Sequence, residues 1–333
     1  MRITIGAVLA AACTGQSTDD APALLDTGWF TTTPGSVDPL NCPDQFVTWA
    51  PEDGVNSWYW RDRPVFYTAS TNRAAYEVWL QDASGARVPA TSVWDEQTGL
   101  SFTLDWDGFL AADTDYTLGL TDCAQFRTIT FHTSPFGQEL AVDPGALIGN
   151  TYLLDLVGAE WVEPPILGGL MQTYFQDPIL LGIRHADDVQ IDLLAAPGKT
   201  DDFGVVRQNL GLASWDFPLA DFRQAPYLDA PADSVTLTYD STEIQVSDFL
   251  LQATFSADGS RLGGGTLSGL ADSRNLGTLL GSPDDQGLLC ELAAGVGVPC
   301  QPCPDGQPYC LFLRAIDLEG ELLPGVTLVQ TDG

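Results

Sequence analysis

Short runs in which apolar and polar residues alternate fill residues 46–134 and restrict the fold more than any other feature. They include "FVTWA", "AAYEVWLQD", "LSFTLDW", "DYTLGLTD" and "FRTITFHTS", and turn sequences such as "DASGA" and "DEQTG" separate them. Alternation with a period of two places every second side chain on one face of a strand. The sequence therefore predicts a mainly β protein that begins with a β-sandwich over residues 28–135.

One stretch of this region resembles a known family. "FLAADTDYTLGL", residues 109–120, has an acidic turn followed by Tyr116 at the start of an alternating strand. It is similar to the tyrosine corner of Ig-like sandwiches, and "FRTITFHTS" resembles the last strand of bacterial Ig-like domains of surface and S-layer proteins. The resemblance implies a spacer, scaffold or adhesive module. Its aromatic residues are interpreted either as core or as a carbohydrate platform: Trp49, Trp58, Tyr59, Trp60 and Trp79.

The second half of the chain has a different pattern. Residues 136–146 contain the proline and glycine of a linker, and residues 147–333 combine long alternating runs with two helix candidates, "PPILGGLMQTYF" and "DQGLLCELAAGV". This pattern predicts an α+β domain with a curved antiparallel sheet or partial barrel and one or two helices. "GGG" at residues 263–265 has no helix after it, so it predicts a bend or bulge in a strand.

The N-terminus has the pattern of an export signal. Arg2 precedes the apolar run from Ile3 to Ala12, which ends in small residues before Cys13. The run is shorter than the roughly 20 residues that span a bilayer. It resembles the lipobox of bacterial lipoproteins, although Leu9 lies one place further from the cysteine than in the usual pattern. The resemblance implies that residues 1–13 are a signal ending in a lipidated Cys13 and that residues 14–27 form a flexible acidic tether.

This interpretation also predicts the location. Thr14, rather than aspartate, follows the cysteine. The chain is therefore expected to be exported and lipid-anchored in the bacterial cell envelope, with the outer membrane or cell surface favoured.

The cysteines fit an oxidising compartment. Without Cys13 an even number remains, namely Cys42, Cys123, Cys290, Cys300, Cys303 and Cys310. We predict a pair of Cys42 with Cys123, and the last four pairing among themselves. Of their three possible pairings, Cys290–Cys300 with Cys303–Cys310 is preferred. Four zinc ligands are the alternative, but the spacing fits common zinc sites poorly.

Charge and missing motifs exclude several functions. The chain has 45 acidic and 13 basic residues, a net charge of −32, which would repel nucleic acid. G-x-S-x-G, H-E-x-x-H, P-loop and G-x-G-x-x-G motifs do not occur, and the histidines are His132 and His185. We therefore expect no catalytic residues, metal or cofactor. A hydrolase that uses paired carboxylates and adventitious calcium at "DWDG" or "HADD" are left open as alternatives.

Two functions remain from different classes. The first is a non-catalytic envelope lipoprotein that acts as a structural or adhesion-type interaction module; the second is a carrier or sensor that binds an apolar ligand in the C-terminal domain. An empty apolar cavity of more than a few hundred Å³ in that domain favours the carrier. A filled core together with an exposed aromatic or flat patch favours the interaction module. Partners left open are an envelope protein, a glycan or an apolar ligand. The ligand surface is predicted at Leu167, Leu170, Met171, Tyr174 and Phe175.

Overall fold

A computed structural model describes residues 31–32, 46–122, 125–164, 178–239, 242–279, 282, 284–295 and 297–332. The chain divides into two compact units. The first comprises Met1–Gly54, Arg63–Asp107 and Tyr116–Thr130, and the second comprises Val55–Asp62, Gly108–Asp115 and Phe131–Gly333. Residues 55–62 and 108–115, which the sequence pattern assigns to the sandwich, thus group with the second unit.

The described strands up to the linker are β1 Thr31–Thr32, β2 Phe46–Ala50, β3 Val55–Trp58, β4 Val65–Thr68, β5 Tyr76–Asp82, β6 Arg87–Val88, β7 Thr91–Trp94, β8 Ser101–Asp105, β9 Asp115–Asp122 and β10 Gln125–Thr133. Those after it are β11 Thr151–Leu154, β12 Glu160–Glu163, β13 Ile179–Ala186, β14 Gln190–Thr200, β15 Val206–Gln208, β16 Trp215–Asp216, β17 Ala220–Asp221, β18 Tyr227–Tyr239, β19 Thr242–Phe255, β20 Arg261–Asp272 and β21 Cys310–Leu322. Two short helices, α1 Leu276–Leu279 and α2 Leu288–Ala294, and two 3₁₀ turns, Arg73–Ala75 and Pro144–Leu147, complete the described elements.

The first unit is built from two sheets. One has the order β1-β10-β9-β5-β6, and the other has the order β2-β4-β8-β7 with antiparallel neighbours throughout. Aromatic side chains from alternate strand positions fill the space between them, as with Phe46 of β2 and Tyr76 of β5, whose ring centroids are 5.0 Å apart. Phe66 and Phe102 stack beside them and are buried. The predicted strands are confirmed here. The Ig-like assignment stays a prediction, with Tyr116 buried in β9.

The second unit is organised by one 11-stranded sheet. Its strand order is β15-β14-β13-β11-β21-β20-β19-β18, with β12 on β21 and both β16 and β17 on β14. The pairs that define this order are antiparallel, and the sheet curls into a half-barrel. This confirms the predicted curved antiparallel sheet. Long β-strands with one apolar face curl in this way to bury that face.

The core of the second unit lies on the inner face of the curled sheet. It contains alternate residues of the long strands, among them Leu193, Phe255 and Leu313. The helix predicted from "DQGLLCELAAGV" is confirmed as α2, which buries Leu289 and Ala293 against this core. The helix predicted from "PPILGGLMQTYF" lies, apart from Pro164, outside the described residues.

The triple glycine of β20 produces the predicted bulge. The register between β20 and β21 shifts on both sides of Gly265, and Gly264 has a φ of +56°. A Cβ at Gly264 would lie 2.1 Å from the ring of Tyr59, and a Cβ at Gly263 would lie 2.3 Å from the ring of Phe136. Only glycine leaves room for these two rings to lie against the strand backbone.

Residues 59–61 join the same unit through polar and aromatic contacts. The hydroxyls of Tyr59 and Thr254 are hydrogen-bonded. The guanidinium carbon of Arg61 lies 3.3 Å from the ring centroid of Tyr227, and Gln252 donates a 2.5 Å hydrogen bond to the Tyr227 hydroxyl. Burial raises the pKa of Tyr227 to about 12. Tyr227 is therefore a neutral phenol that stacks with a cation.

No helix within the described ranges is both long and apolar enough to span a bilayer.

Candidate functional site

The interior of the half-barrel, where the carrier hypothesis places a ligand, is nearly filled in the described part of the chain. The apolar cavity there holds about 30 Å³ and is lined on opposite sides by residues such as Leu154, Trp161 and Phe249. Sites for small molecules usually measure roughly 300–1,000 Å³, and a single water needs roughly 10–15 Å³. The described interior therefore has room for a water molecule but not for a ligand of ordinary size.

A larger cavity lies at the outer face of the same sheet. It is a half-open cleft of about 430 Å³, and its lining combines apolar and acidic side chains. The apolar part includes Leu153, Val157, Pro178 and Val206, and the acidic part is Asp155, Glu319 and Glu321. We refer to this cavity as the outer cleft.

The outer cleft forms where strand β11 ends. The backbone N–H of Asp155 donates to the carbonyl of Glu319, and the carboxylate of Asp155 then accepts a 2.8 Å hydrogen bond from the N–H of Gly158. This turn buries Leu156 and leaves Val157 exposed. The chain therefore leaves the sheet abruptly, and the gap beside β21 becomes one wall of the cleft.

Strand β21 supplies two of the acids by alternation. Leu318 points into the core, whereas Glu319 and Glu321 are exposed on the opposite face. Arg261 donates a 2.8 Å hydrogen bond to Glu319. The cleft thus carries three carboxylates, of which Glu319 has a cation from its own chain.

The hairpin of β14 and β15 supplies the opposite wall. Thr200 and Val206 are paired across the two strands and both line the cleft. Beyond them the Asp201 carboxylate accepts hydrogen bonds of 2.9 Å from the N–H groups of Phe203 and Val205. These donors, with that of Val205 first, lower the pKa of Asp201. The turn is therefore held by an anionic side chain, and Gly204 takes the left-handed φ of +78° that it needs.

The tip of this hairpin exposes an aromatic side chain. Phe203 is 91% exposed, the largest exposure among the described apolar residues, and Val205 is also exposed. Below the tip Lys199 and Arg207 form a cross-strand pair. Arg207 has a carboxylate oxygen of Asp201 at 3.7 Å. We refer to residues 199–207 as the Phe203 hairpin.

The cysteine pairing preferred from the sequence is confirmed at the C-terminal end. Cys290 is bonded to Cys300 and Cys303 to Cys310, with Cα distances of 5.4 and 5.0 Å. These sulfurs are therefore not free thiolates for zinc. Cys13, Cys42 and Cys123 lie outside the described residues, as does the predicted ligand surface of Leu167, Leu170, Met171, Tyr174 and Phe175.

Arg274 connects the loop that contains the two disulfides, from Cys290 to Cys310, to the end of β20. Arg274 donates from Nε to both carboxylate oxygens of Asp272, at 2.9 and 3.0 Å, and from a terminal nitrogen to Asp305 at 2.7 Å. These hydrogen bonds, that to Asp272 first, raise the pKa of Arg274. Ser273 donates a 2.6 Å hydrogen bond to the carbonyl of Tyr309. This cluster holds the loop in place against the end of β20.

Two of the aromatic residues considered for a carbohydrate platform, Trp60 and Trp79, are packed against their own units. Trp60 is buried. The ring of Trp79 lies across Gly119, where a Cβ would be 1.9 Å from it, and the Arg87 guanidinium carbon lies 3.5 Å from its centroid. Packing within the protein therefore accounts for Trp60 and Trp79.

The two histidines contact carboxylates. The imidazole of His132 lies between Asp115 and Asp113, at 2.8 and 3.1 Å, and His185 is 3.2 Å from Asp187. Within the described ranges, no group of three or more His, Cys, Asp or Glu residues is placed to hold a metal ion.

Sequence reasoning missed the outer cleft because no motif encodes it. One signal was present: "DDFGV" places a phenylalanine inside an otherwise polar turn. An apolar residue at a turn tip has no strand neighbour to pack against, so its exposure could have been predicted from the sequence.

Comparisons of the chain with protein family models, curated proteins and solved structures gave no match.

Proposed function

We propose that this chain is an exported, lipid-anchored envelope protein of the non-catalytic, interaction type, and that a partner binds in the outer cleft. The anchor part rests on the apolar run that ends at Cys13. The observation that supports binding is the cleft itself, a concave surface of about 430 Å³ beside an interior cavity of about 30 Å³.

The lining of the cleft defines the chemistry of its partner. Leu153, Val157 and Val206 offer apolar contact, while Asp155, Glu319 and Glu321 add negative charge. A partner segment that alternates apolar and basic side chains complements both. An anionic partner is repelled here, as it is by the net charge of −32.

A direct test titrates the full chain in detergent with a synthetic peptide of alternating lysine and leucine residues. Glu321→Lys places a cation in the cleft, so we expect it to weaken the peptide about tenfold, the size of effect usual for a charge at an interface. Isothermal titration calorimetry gives the dissociation constant.

Asp233→Lys is the matched control, because Asp233 is an exposed acid of β18 and does not line the cleft. It changes the net charge by the same amount and should leave peptide affinity nearly unchanged. Equal weakening by both substitutions would mean that the peptide senses only overall charge, and the cleft would not be the binding site.

A further inference from the structure

We infer that the occupant of the outer cleft is the Phe203 hairpin of a second copy of this chain. The inference rests on the proposed function, since it names the partner of the same cleft. Its starting point is that the exposed Phe203 and the cleft lie on neighbouring parts of one surface. Thr200 and Val206, at the base of the Phe203 hairpin, also line the cleft.

The hairpin presents Phe203 in a fixed way. Its backbone N–H donates to Asp201, and the strands below are paired from Thr200 and Val206 down to Gly198 and Gln208. Phe203 is 91% exposed, so its ring is turned away from its own unit. Because the backbone of the turn is held and an aromatic side chain has only two torsions, little conformational freedom is lost when the ring enters a pocket, and aromatic residues often dominate binding energy at interfaces.

The cleft is large enough for this side chain. An apolar cavity of about 150 Å³ accommodates benzene, and the outer cleft measures about 430 Å³. Its apolar lining, including Leu153, Val157 and Pro178, suits a phenyl ring. Room remains for the flanking residues of the hairpin.

The charges complement each other between copies and not within one. Successive residues of a strand point to opposite faces, so Lys199 and Arg207 lie on the face of the hairpin opposite to Thr200 and Val206, which line its own cleft. The hairpin therefore directs its cations away from its own cleft acids. A second copy can bring Lys199, the only lysine of the chain, to the carboxylates of Glu321 and Asp155.

Twofold symmetry allows both hairpins to be used at once. In a twofold dimer the same surface of both copies forms the interface. That surface must therefore carry both a protruding group and a cavity that receives it, and both signs of charge. Phe203, the cleft, Lys199 and Glu321 meet these conditions. The hairpin also carries the acids Asp201 and Asp202. Their repulsion from the cleft acids, together with the net charge of −32, limits the strength of the association.

Sedimentation equilibrium of the full chain in density-matched detergent tests the inference. We expect the wild-type chain to show a concentration-dependent monomer–dimer equilibrium. Phe203→Ser, in an exposed turn that keeps its Asp201 hydrogen bonds, should weaken dimerisation at least about tenfold. Lys199→Glu and Glu321→Lys should each do the same, because each homodimer would then place like charges opposite each other twice.

A mixture of the Lys199→Glu and Glu321→Lys chains gives the decisive result. In their heterodimer every 199–321 contact again joins opposite charges, so association should return to the wild-type level. In a mixture of Lys199→Glu with the control Asp233→Lys, the control chain should dimerise with itself, whereas the heterodimer should stay weaker than wild type because one of its 199–321 contacts joins two glutamates. The inference is overturned if the wild-type chain stays monomeric at all concentrations. It is also overturned if Lys199→Glu and Glu321→Lys do not dimerise with each other.

Failure of this inference differs from failure of the proposed function. If the chain is monomeric but binds the lysine–leucine peptide, and Glu321→Lys weakens that binding, the cleft is a site for another basic partner and not for a second copy. If the Lys199→Glu and Glu321→Lys chains dimerise with each other but the wild-type chain does not bind the peptide, the cleft serves self-association alone.

Discussion

At the scale of single residues, the contacts of His132 favour the positively charged imidazolium. Its Nδ1 lies 2.8 Å from a carboxylate oxygen of Asp115 and its Nε2 lies 3.1 Å from one of Asp113. Gln138 donates a 2.9 Å hydrogen bond to the second oxygen of Asp113. A neutral imidazole has one proton, so one of its nitrogens would face a carboxylate without a donor. The hydrogen bond with Asp115, and then that with Asp113, raises the pKa of His132 above its usual 6.5.

This arrangement predicts a pH-dependent contribution to stability. Because the folded-state pKa is raised, the contribution is complete below the unfolded pKa and is lost as the pH rises through the folded one. We expect His132→Gln to lower the melting temperature by a few degrees at about pH 5.5 and to lower it less at about pH 9. Differential scanning calorimetry of wild type and variant at both pH values measures the difference.

Asp115→Asn serves as the control for the same site. It removes the partner with the largest effect on the pKa of His132, so it should shrink the pH-dependent difference between wild type and His132→Gln. An equal loss of stability at both pH values would show that His132 acts only through packing.

At the scale of elements, the loop from Cys290 to Cys310 is secured in two independent ways. One is the pair of disulfides, and the other is the clamp of Arg274 on Asp272 and Asp305. Cys310 is also the first residue of β21, and it forms a bridge with Gln301. The loop therefore fixes the beginning of a central strand of the curled sheet.

Replacement of Cys303 and Cys310 by alanine should lower the free energy of unfolding without loss of the fold. The sulfurs close a loop of sequence separation 7, for which the chain-entropy account gives about 2–3 kcal/mol. Urea unfolding under non-reducing conditions gives this quantity. Arg274→Gln is the comparison that removes the clamp instead; if the cysteine variant shows no loss while Arg274→Gln does, the clamp alone secures the loop.

The elements predicted well from sequence are those whose residues alternate over a long run. β19 and β21 are such strands, and their apolar faces lie in the core as expected. Short elements were missed: β12, and β15 to β17, span two to four residues, too few for a period of two to show. The grouping of residues 59–61 with Tyr227 and Thr254 was also missed, because contacts so distant along the chain leave no local pattern.

The candidate site was predictable only in part. "DDFGV" predicts a turn from its Asp and Gly residues, and the structure shows that turn with Phe203 exposed at its tip. The cleft depends instead on where β11 ends and on its register with β21, as in the pair Leu153 with Glu321. Register between distant strands is set by packing of the whole sheet, so the acids were indistinguishable from the other acidic residues in the sequence.

At the scale of the whole molecule, charge and attachment set where the protein can act. The chain has 13 basic residues against 45 acidic ones. One arginine can therefore pair with two carboxylates, as Arg184 does with Asp192 and Asp216. A surface of this kind is repelled by anionic lipid headgroups. Surface charge therefore disfavours membrane attachment, whereas the proposed lipid does not depend on it.

The proposed lipid at Cys13 leads to the last prediction. Cys13→Ser removes the sulfur that would carry the acyl chains, so we expect the chain to remain unprocessed or become fully soluble, with nearly complete loss from the detergent phase in a Triton X-114 partition. Labelled palmitate should enter the wild type and not the variant. Cys42→Ser is the matched control, because Cys42 is predicted to pair with Cys123 and its loss leaves the lipid site intact. If Cys13→Ser partitions like the wild type, or if Cys42→Ser abolishes labelling equally, the protein is not anchored through Cys13, and the proposed envelope location loses its main support.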